Sequence, residues 1–103
     1  MYDYDLYGEN YKINIFRSHY VANGNTAVVA NTAEGEPFAE FSVNLTDLPE
    51  DQIYVDTNNL RGALEFLTKN KLAQDMNETL RSGYCEYPLV KIDLNKIPEI
   101  KVD

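Results

Sequence analysis

The chain is short of the residues from which most catalytic and metal-binding sites are built. Among 103 residues it has one cysteine, Cys85, one histidine, His19, and no tryptophan. A single cysteine excludes an intrachain disulfide and a zinc site made of cysteine thiolates. A cysteine nucleophile needs a base and a neighbouring cation that lowers its pKa, and Cys85 is flanked by Tyr84 and Glu86 with no cation nearby. We therefore expect no enzyme, no metal and no cofactor, and we interpret Cys85 as a half-buried strand residue.

Long apolar runs are also missing. A membrane-spanning helix needs about eighteen or more apolar residues in succession, and the sequence contains no such run. The first residues, Met-Tyr-Asp-Tyr-Asp, have neither the basic start nor the apolar stretch of a signal peptide. A lone thiol fits a reducing compartment. These features predict a soluble protein of the cytoplasm that does not contact the membrane.

Basic residues are scarce in the first sixty positions. Ten acids there face only Lys12 and Arg17, whereas residues 61–103 hold seven acids and seven bases, so the first part carries the whole net charge of −8. This pattern argues against binding to nucleic-acid phosphates. It permits binding to a basic protein surface, although the charge can equally serve solubility. The candidate partner-binding residues are Glu34, Glu36, Glu40, Asp47, Glu50 and Asp51.

The first half of the sequence predicts an antiparallel meander of three strands. Alternating side chains indicate strands at residues 11–21, 26–31 and 38–45. Asn23-Gly24-Asn25 is a hairpin signal, because Asn and Gly tolerate positive φ, and residues 34–37 form a second turn. Residues 1–9 are a weak strand or a loose arm.

The second half predicts a helix and further strands. We expect a short strand at residues 53–55, a helix at about 59–69, a loop or frayed turn at 72–79, a strand at 84–94 and a short strand within 97–100. The predicted fold is therefore one α+β domain spanning residues 1–103. Its twisted, mostly antiparallel sheet contains the three-stranded N-terminal meander and one or two later strands, and one α-helix packs on a face.

A polar run lies at the predicted junction between a strand and the helix. Asp56, Thr57, Asn58 and Asn59 offer side chains that cap a helix, and such a junction can also bind an anion. Arg81 is expected to pair with a carboxylate of the acidic half, or with Asp56. An alternative function is therefore a small-ligand or anion-binding module that uses these five residues.

Eight tyrosines are too many for the core of so small a chain. Tyrosine is favoured at protein interfaces, where its ring is buried and its hydroxyl stays paired. Tyr2, Tyr4 and Tyr7 lie beside acidic residues, so this segment is either a contact surface or a strand that packs its rings on the sheet. The surplus tyrosines and the exposed edge of the meander make a homodimer plausible.

Four stretches of the sequence resemble a family of small acidic proteins of unknown function from conjugative elements, plasmids and phages of Gram-positive bacteria. The resemblance covers about residues 11–95 and implies a bacterial, mobile-element setting, with no known activity. With the charge pattern, it favours an accessory protein-interaction domain that inhibits a basic nucleic-acid-binding host protein. A third hypothesis is a structural domain without catalytic activity. The stretches are Gly24-Asn25-Thr26-Ala27, Pro37-Phe38-Ala39 with Val43-Asn44-Leu45, Tyr54-Val55-Asp56-Thr57-Asn58-Asn59, and Arg81-Ser82-Gly83-Tyr84-Cys85-Glu86-Tyr87-Pro88-Leu89.

Overall fold

The computed structural model describes residues 1–100 and contains eight strands and one short helix. The elements, in chain order, are β1 (Tyr2–Leu6), β2 (Glu9–His19), β3 (Thr26–Thr32), β4 (Pro37–Glu40), β5 (Ser42–Val43), β6 (Gln52–Val55), α1 (Ala63–Lys69), β7 (Ala73–Ser82) and β8 (Cys85–Ile92). The first sheet has the strand order β1-β2-β3-β4, and the second has the order β5-β6-β8-β7. Every pairing between these strands is antiparallel.

The predicted meander and the presence of one helix are confirmed, but the prediction of one sheet is wrong. The strand expected at residues 38–45 changes sheets at Phe41. The Phe41 amide donates to the Val28 carbonyl in β3 at 2.8 Å, while the Phe41 carbonyl accepts from the Asp56 amide next to β6 at 2.8 Å. The Ser42 hydroxyl then accepts from the Val28 amide at 2.9 Å, which gives this buried donor a partner where β4 leaves the first sheet.

Residues 72–79, predicted as a loop, instead begin the long strand β7. The alternation of side chains is interrupted because the pairing with β8 shifts between Asp75 and Glu78, and Asn77 has a φ of 58°. Such a β-bulge adds an unpaired residue and breaks the two-residue period from which strands are predicted. In addition, β7 lies at the edge of its sheet, so many of its side chains are polar and exposed.

One main core lies between the two sheets and α1. Its aromatic centre joins Tyr4 of β1 to Phe41 and Phe66, with ring centroids 5.7 and 5.0 Å from Tyr4. Tyr4 is 2% exposed, so residues 2–6 are a strand packed on the core and not a loose arm. None of the helical segments in residues 1–100 has the length and apolar character that a membrane span requires.

The C-terminal segment returns to β2. The Arg17 amide donates to the Pro98 carbonyl and the Ile100 amide donates to the Arg17 carbonyl, both at 2.9 Å, which makes a parallel bridge between Arg17 and Glu99. The predicted short strand in the tail is thus present as a single bridge.

Asn25 holds the loop at residues 44–51 against the turn between β2 and β3. Its Nδ2 donates to Asn44 Oδ1 at 3.0 Å and to the Thr46 carbonyl at 2.6 Å. Its Oδ1 accepts from the Leu48 amide at 3.2 Å. Since Asn25 is 7% exposed, these bonds satisfy a buried amide and fix the course of a loop without regular structure.

Candidate functional site

Five of the six acidic candidate residues lie in two regions of the molecule, and Glu40 lies between these regions, at the end of β4 and opposite Val29 in the middle of β3. Glu34 and Glu36 are exposed in the turn between β3 and β4. Asp47, Glu50 and Asp51 belong to the loop that packs near the start of β3, where Thr26 Oγ1 donates to the Glu50 carbonyl at 2.6 Å. The seven residues of β3 separate the two regions by roughly 20 Å. The structure therefore does not gather the six carboxylates on one continuous face.

Four of these six carboxylates have partners within the molecule. Glu50 lies 3.6 Å from the Arg17 guanidinium and Asp51 lies 3.8 Å from Lys91 Nζ. Asp47 accepts from Asn23 Nδ2 at 3.2 Å, and Glu40 accepts from the Tyr20 hydroxyl at 3.0 Å. Among residues 1–100, only the side chains of Glu34 and Glu36 from this set make neither an ion pair nor a hydrogen bond.

Glu34 and Glu36 lie at one end of the first sheet, and the hairpin of β1 and β2 brings further acidic residues to the same end. Ile13 pairs with both Tyr2 and Thr32, so residues 3–12 extend past the end of β3, on the side where the β3–β4 turn lies. Asp5 and Glu9 are exposed on this hairpin. We call this surface the acidic end; it consists of Asp5, Tyr7, Glu9, Glu34 and Glu36.

The tyrosines of the N-terminal segment have three different environments. Tyr4 is buried, Tyr2 is half-buried, and Tyr7 is 81% exposed at the tip of the hairpin. Tyr7 and Gly8 both have positive φ, 50° and 82°, as in the type I′ turns that connect tight hairpins. A bulky residue is uncommon in this conformation. Of the predicted aromatic contact surface, only Tyr7 is therefore available to a partner.

The carboxylates on the hairpin are held by polar neighbours. Asp5 accepts from Asn10 Nδ2 at 2.8 Å, and Glu9 accepts from the Tyr11 hydroxyl at 2.7 Å. The bond to Glu9 and its negative charge raise the pKa of Tyr11 above its ordinary value. Lys12 pairs with Asp3 and is the only base among residues 1–16.

The structure does not place Asp56 and its neighbours at the N-terminus of the helix. The Asp56 carboxylate accepts from the Asn59 amide at 3.2 Å and from Asn59 Nδ2 at 2.9 Å, so it closes a local turn. The helix begins four residues later than expected, at Ala63, and its N-cap is Gly62 with no side-chain hydrogen bond. The prediction that residues 56–59, including Thr57 and Asn58, cap the helix is therefore wrong.

Arg81 is also placed differently from the prediction. It lies on β7, and its guanidinium is 3.6 Å from Glu86 on the neighbouring strand β8. Strand β8 separates β7 from β6, whose end leads to Asp56. The expected pairing with Asp56 or with a carboxylate of residues 1–60 is wrong, because the cross-strand partner in a hairpin is much nearer.

His19 and Cys85 belong to different sheets and have different neighbours. His19 Nδ1 lies 3.8 Å from Glu99, whereas Cys85 packs with a small apolar cluster around Tyr54, Tyr87 and Leu89. Cys85 is half-buried, as expected. Within residues 1–100, no three His, Cys, Asp or Glu side chains converge in the way that a metal site requires.

Because of Tyr4 and Tyr20, the stability of the fold depends on pH in the alkaline range. Burial is the main cause that raises the pKa of each to about 12 from an ordinary value of 10.0, and nearby carboxylates add to it. The folded state then holds these protons more tightly than the unfolded state, so unfolding releases them between pH 10 and 12. The stabilisation is complete below pH 10 and is lost as the pH rises towards 12.

We expect the urea midpoint of unfolding to fall across this alkaline window. Denaturation curves at neutral pH and at steps between pH 10 and 12 measure the effect. Tyr20→Phe removes one of the two groups and should make the midpoint less dependent on pH than the midpoint of the wild type. An unchanged pH dependence for Tyr20→Phe would contradict the assignment.

A groove of about 770 Å³ lies where α1 ends, β7 begins and β8 ends. Its lining carries both signs of charge, since it includes Asp51, Lys71, Asp75, Lys91 and Asp93. Sequence reasoning could not find this groove, because its walls come from four separate segments whose side chains show no common motif.

Comparison with known proteins identifies a family but no characterised relative. Residues 14–103 match the profile of a family described as Domain of unknown function (DUF4313). No curated protein and no solved structure matches the chain. The match begins within β2, so β1 and the tip of its hairpin precede it. Because the profile covers most of the sequence, the chain belongs to this family of unknown function, DUF4313.

Proposed function

We propose that this chain is a protein-interaction domain that binds a basic surface of a partner protein through the acidic end. The main support is the position of Tyr7, a large aromatic side chain that is 81% exposed at the tip of the hairpin that also carries Asp5 and Glu9, with Arg61 beside it. Tyrosine at an exposed tip offers a rigid ring and a hydroxyl for a partner. Of the six acidic residues that the sequence suggested for partner binding, the acidic end includes only Glu34 and Glu36.

The charges at the acidic end are suited to attract a cationic partner. Glu34 and Glu36 have no side-chain partner within residues 1–100, and Asp5 and Glu9 are held only by neutral donors. A partner's Lys or Arg can therefore pair with them without breaking an existing ion pair. Complementary charge of this kind increases the rate of association and the specificity more than it increases affinity.

The class of partner follows from the charge and from the resemblance. A basic surface is the usual feature of proteins that bind nucleic acids through phosphates. Carboxylates spaced along a hairpin can occupy such a surface in place of phosphates. With the mobile-element setting that the resemblance implies, this favours inhibition of a nucleic-acid-binding host protein.

We expect Glu34→Gln combined with Glu36→Gln to weaken binding to a basic partner at least fivefold. The matched control is Glu65→Gln with Glu78→Gln, which removes the same charge from exposed positions on α1 and β7 whose side chains make no ion pair among residues 1–100. Binding of the full chain to a lysine-rich peptide is measured by calorimetry at low and at moderate salt. The acidic-end variant should lose affinity and the control should retain it.

Affinity capture from a bacterial lysate then identifies the natural partner. The wild-type chain, the acidic-end variant and the control are compared, together with Tyr7→Ala. A basic protein that is retained by the wild type and the control, and lost with both other variants, supports the proposal. Equal losses for the acidic-end variant and the control would show that net charge alone is responsible.

A further inference from the structure

The outer edge of β7 is unoccupied by any other strand of residues 1–100. Strand β7 ends the order β5-β6-β8-β7, so β8 pairs with only one of its sides. Strand β6 pairs with β8 only from Leu89 to Lys91, and the β7–β8 hairpin therefore extends beyond it. Residues 77–82 are exposed except for Leu80, which is half-buried.

The turn of this hairpin determines which main-chain groups of β7 face outwards. Ser82 pairs with Cys85 across the two residues Gly83 and Tyr84. In a hairpin with a two-residue turn, the flanking pair exchanges both hydrogen bonds, and bonded and non-bonded pairs then alternate. Ser82, Leu80 and Glu78 thus bond to β8, while the amides and carbonyls of Thr79 and Arg81 point to the free edge.

Pro88 agrees with this assignment. It lies opposite Thr79, in a pair that by the same alternation exchanges no hydrogen bonds. Proline has no amide hydrogen, and it fits this position without the loss of a bond between β7 and β8.

We infer that this edge pairs with β7 of a second copy of the chain, antiparallel and across a two-fold axis at Leu80. Thr79 of each copy then lies opposite Arg81 of the other, and the outward amides and carbonyls of these residues form four hydrogen bonds. The edge is self-complementary, as a symmetric dimer requires. This inference is independent of the proposed function.

The side chains favour this register over its neighbours. Residues that face each other across antiparallel strands lie on the same face of the sheet. The nearest alternative registers of the symmetric dimer therefore slide one copy by two residues along the other, which moves the two-fold axis from Leu80 to Thr79 or to Arg81. An axis at Arg81 places two Arg81 side chains opposite each other, and like charges there repel. An axis at Thr79 brings Arg81 against Asn77, whose positive φ interrupts the strand.

The axis at Leu80 also continues an apolar surface from one copy to the other. Leu80 packs at the border of the cluster formed by Tyr54, Tyr87 and Leu89 on the outer face of the second sheet. In the dimer the two Leu80 side chains meet in a non-bonded pair, where side chains lie closest. Glu78 faces Ser82 of the other copy, so no like charges are opposed.

The second half of β7 lacks the usual protection against such pairing. Free edges are commonly blocked by charged side chains, especially Lys, by Pro, by a bulge or by a covering element, and the two charged residues here, Glu78 and Arg81, do not face like charges in the inferred register. The bulge of β7 lies at Asp75–Glu78, and residues 78–82 contain neither Lys nor Pro. Because the paired segment is short and each copy carries a net charge of −8, we expect a weak dimer at high protein concentration and moderate salt.

Sedimentation equilibrium of the full chain at moderate salt tests the inference. We expect a monomer–dimer equilibrium, with Thr79→Pro raising the dissociation constant at least tenfold, because proline removes an outward amide and no bond to β8. Thr79→Val keeps the amide and should dimerise like the wild type. A chain that remains monomeric at every concentration would overturn the inference.

Disulfide crosslinking tests the register even if the proline variant fails to fold. In a Cys85→Ala background, Leu80→Cys places two thiols opposite each other at the axis, with Cα atoms about 4.5 Å apart, which a disulfide can span. Thr79→Cys does not face itself in this register. Mild oxidation should crosslink the Leu80→Cys chain much faster, and equal rates for the two variants would reject the register.

Discussion

Replacing Tyr4 by alanine is expected to lower the free energy of unfolding by about 3–5 kcal/mol, the range for large aromatic residues removed from a core. Tyr4 is 2% exposed, and its ring meets those of Phe38, Phe41 and Phe66 with centroids 5.0–6.0 Å apart. Its hydroxyl donates to the Arg61 carbonyl. Alanine would leave a cavity between three phenylalanines and remove the hydrogen bond that links β1 to the segment before α1.

Two further variants separate the contributions of the Tyr4 ring and hydroxyl. Tyr4→Phe keeps the ring and should cost about 1 kcal/mol, the usual net value of one hydrogen bond. Tyr7→Ala makes the same change as Tyr4→Ala on the same hairpin, but at an exposed site, and should stay within about 0.5 kcal/mol of the wild type. Urea denaturation measures all three. A small effect of Tyr4→Ala would mean that β1 does not pack on the core in solution.

The position of Tyr4 shows that the fold of this chain includes residues that precede the match to the family profile. The family profile begins at residue 14, whereas Tyr4 fills the centre of the core. A chain cut to residues 14–103 would expose Phe38, Phe41 and Phe66 to water. Experiments on this protein should therefore retain β1.

Asn25→Ala is expected to destabilise the fold by about 3 kcal/mol. The side chain makes three hydrogen bonds, and two of them satisfy the main chain at the Thr46 carbonyl and the Leu48 amide. A main-chain group that loses its partner in a partly buried position costs about 1–3 kcal/mol. Because the loop at residues 44–51 has no ladder of its own, we also expect faster proteolysis of this loop.

Asn25→Asp and Asn10→Ala are the informative comparisons. Aspartate has the same shape, but it cannot donate to Asn44 and Thr46, so it should also destabilise. Asn10 is exposed, and its Nδ2 makes one bond, to Asp5, so its loss should have little effect. Urea denaturation and limited proteolysis report the two consequences separately. If Asn25→Ala matched Asn10→Ala, the loop would be held by contacts other than this amide.

The prediction from sequence succeeded where the pattern is local and failed where it depends on distant contacts. The strands at Tyr11–His19 within β2 and at β8 have apolar residues at alternate positions, and Gly35 provides the positive φ that the β3–β4 turn needs. Strand β7 was missed because the bulge at Asp75–Glu78 and its polar edge residues remove that alternation. The change of sheet at Phe41 has no sequence signal, since Phe41 reads like any other buried strand residue.

The candidate sites likewise combine features that the sequence alone shows with features that depend on distant contacts. The acidic excess of residues 1–60 is a property of composition, and the sequence alone established it together with the lack of a metal or nucleophile motif. Only the tertiary structure determined that Arg17 and Lys91 lie beside Glu50 and Asp51, and that Glu34, Glu36 and Tyr7 share one end of a sheet. Alternation and turn chemistry act between residues a few positions apart, so they can be read from the sequence. The neighbours of a charge or a ring are set by strands that pair over tens of residues, and those depend on the packing of the whole chain.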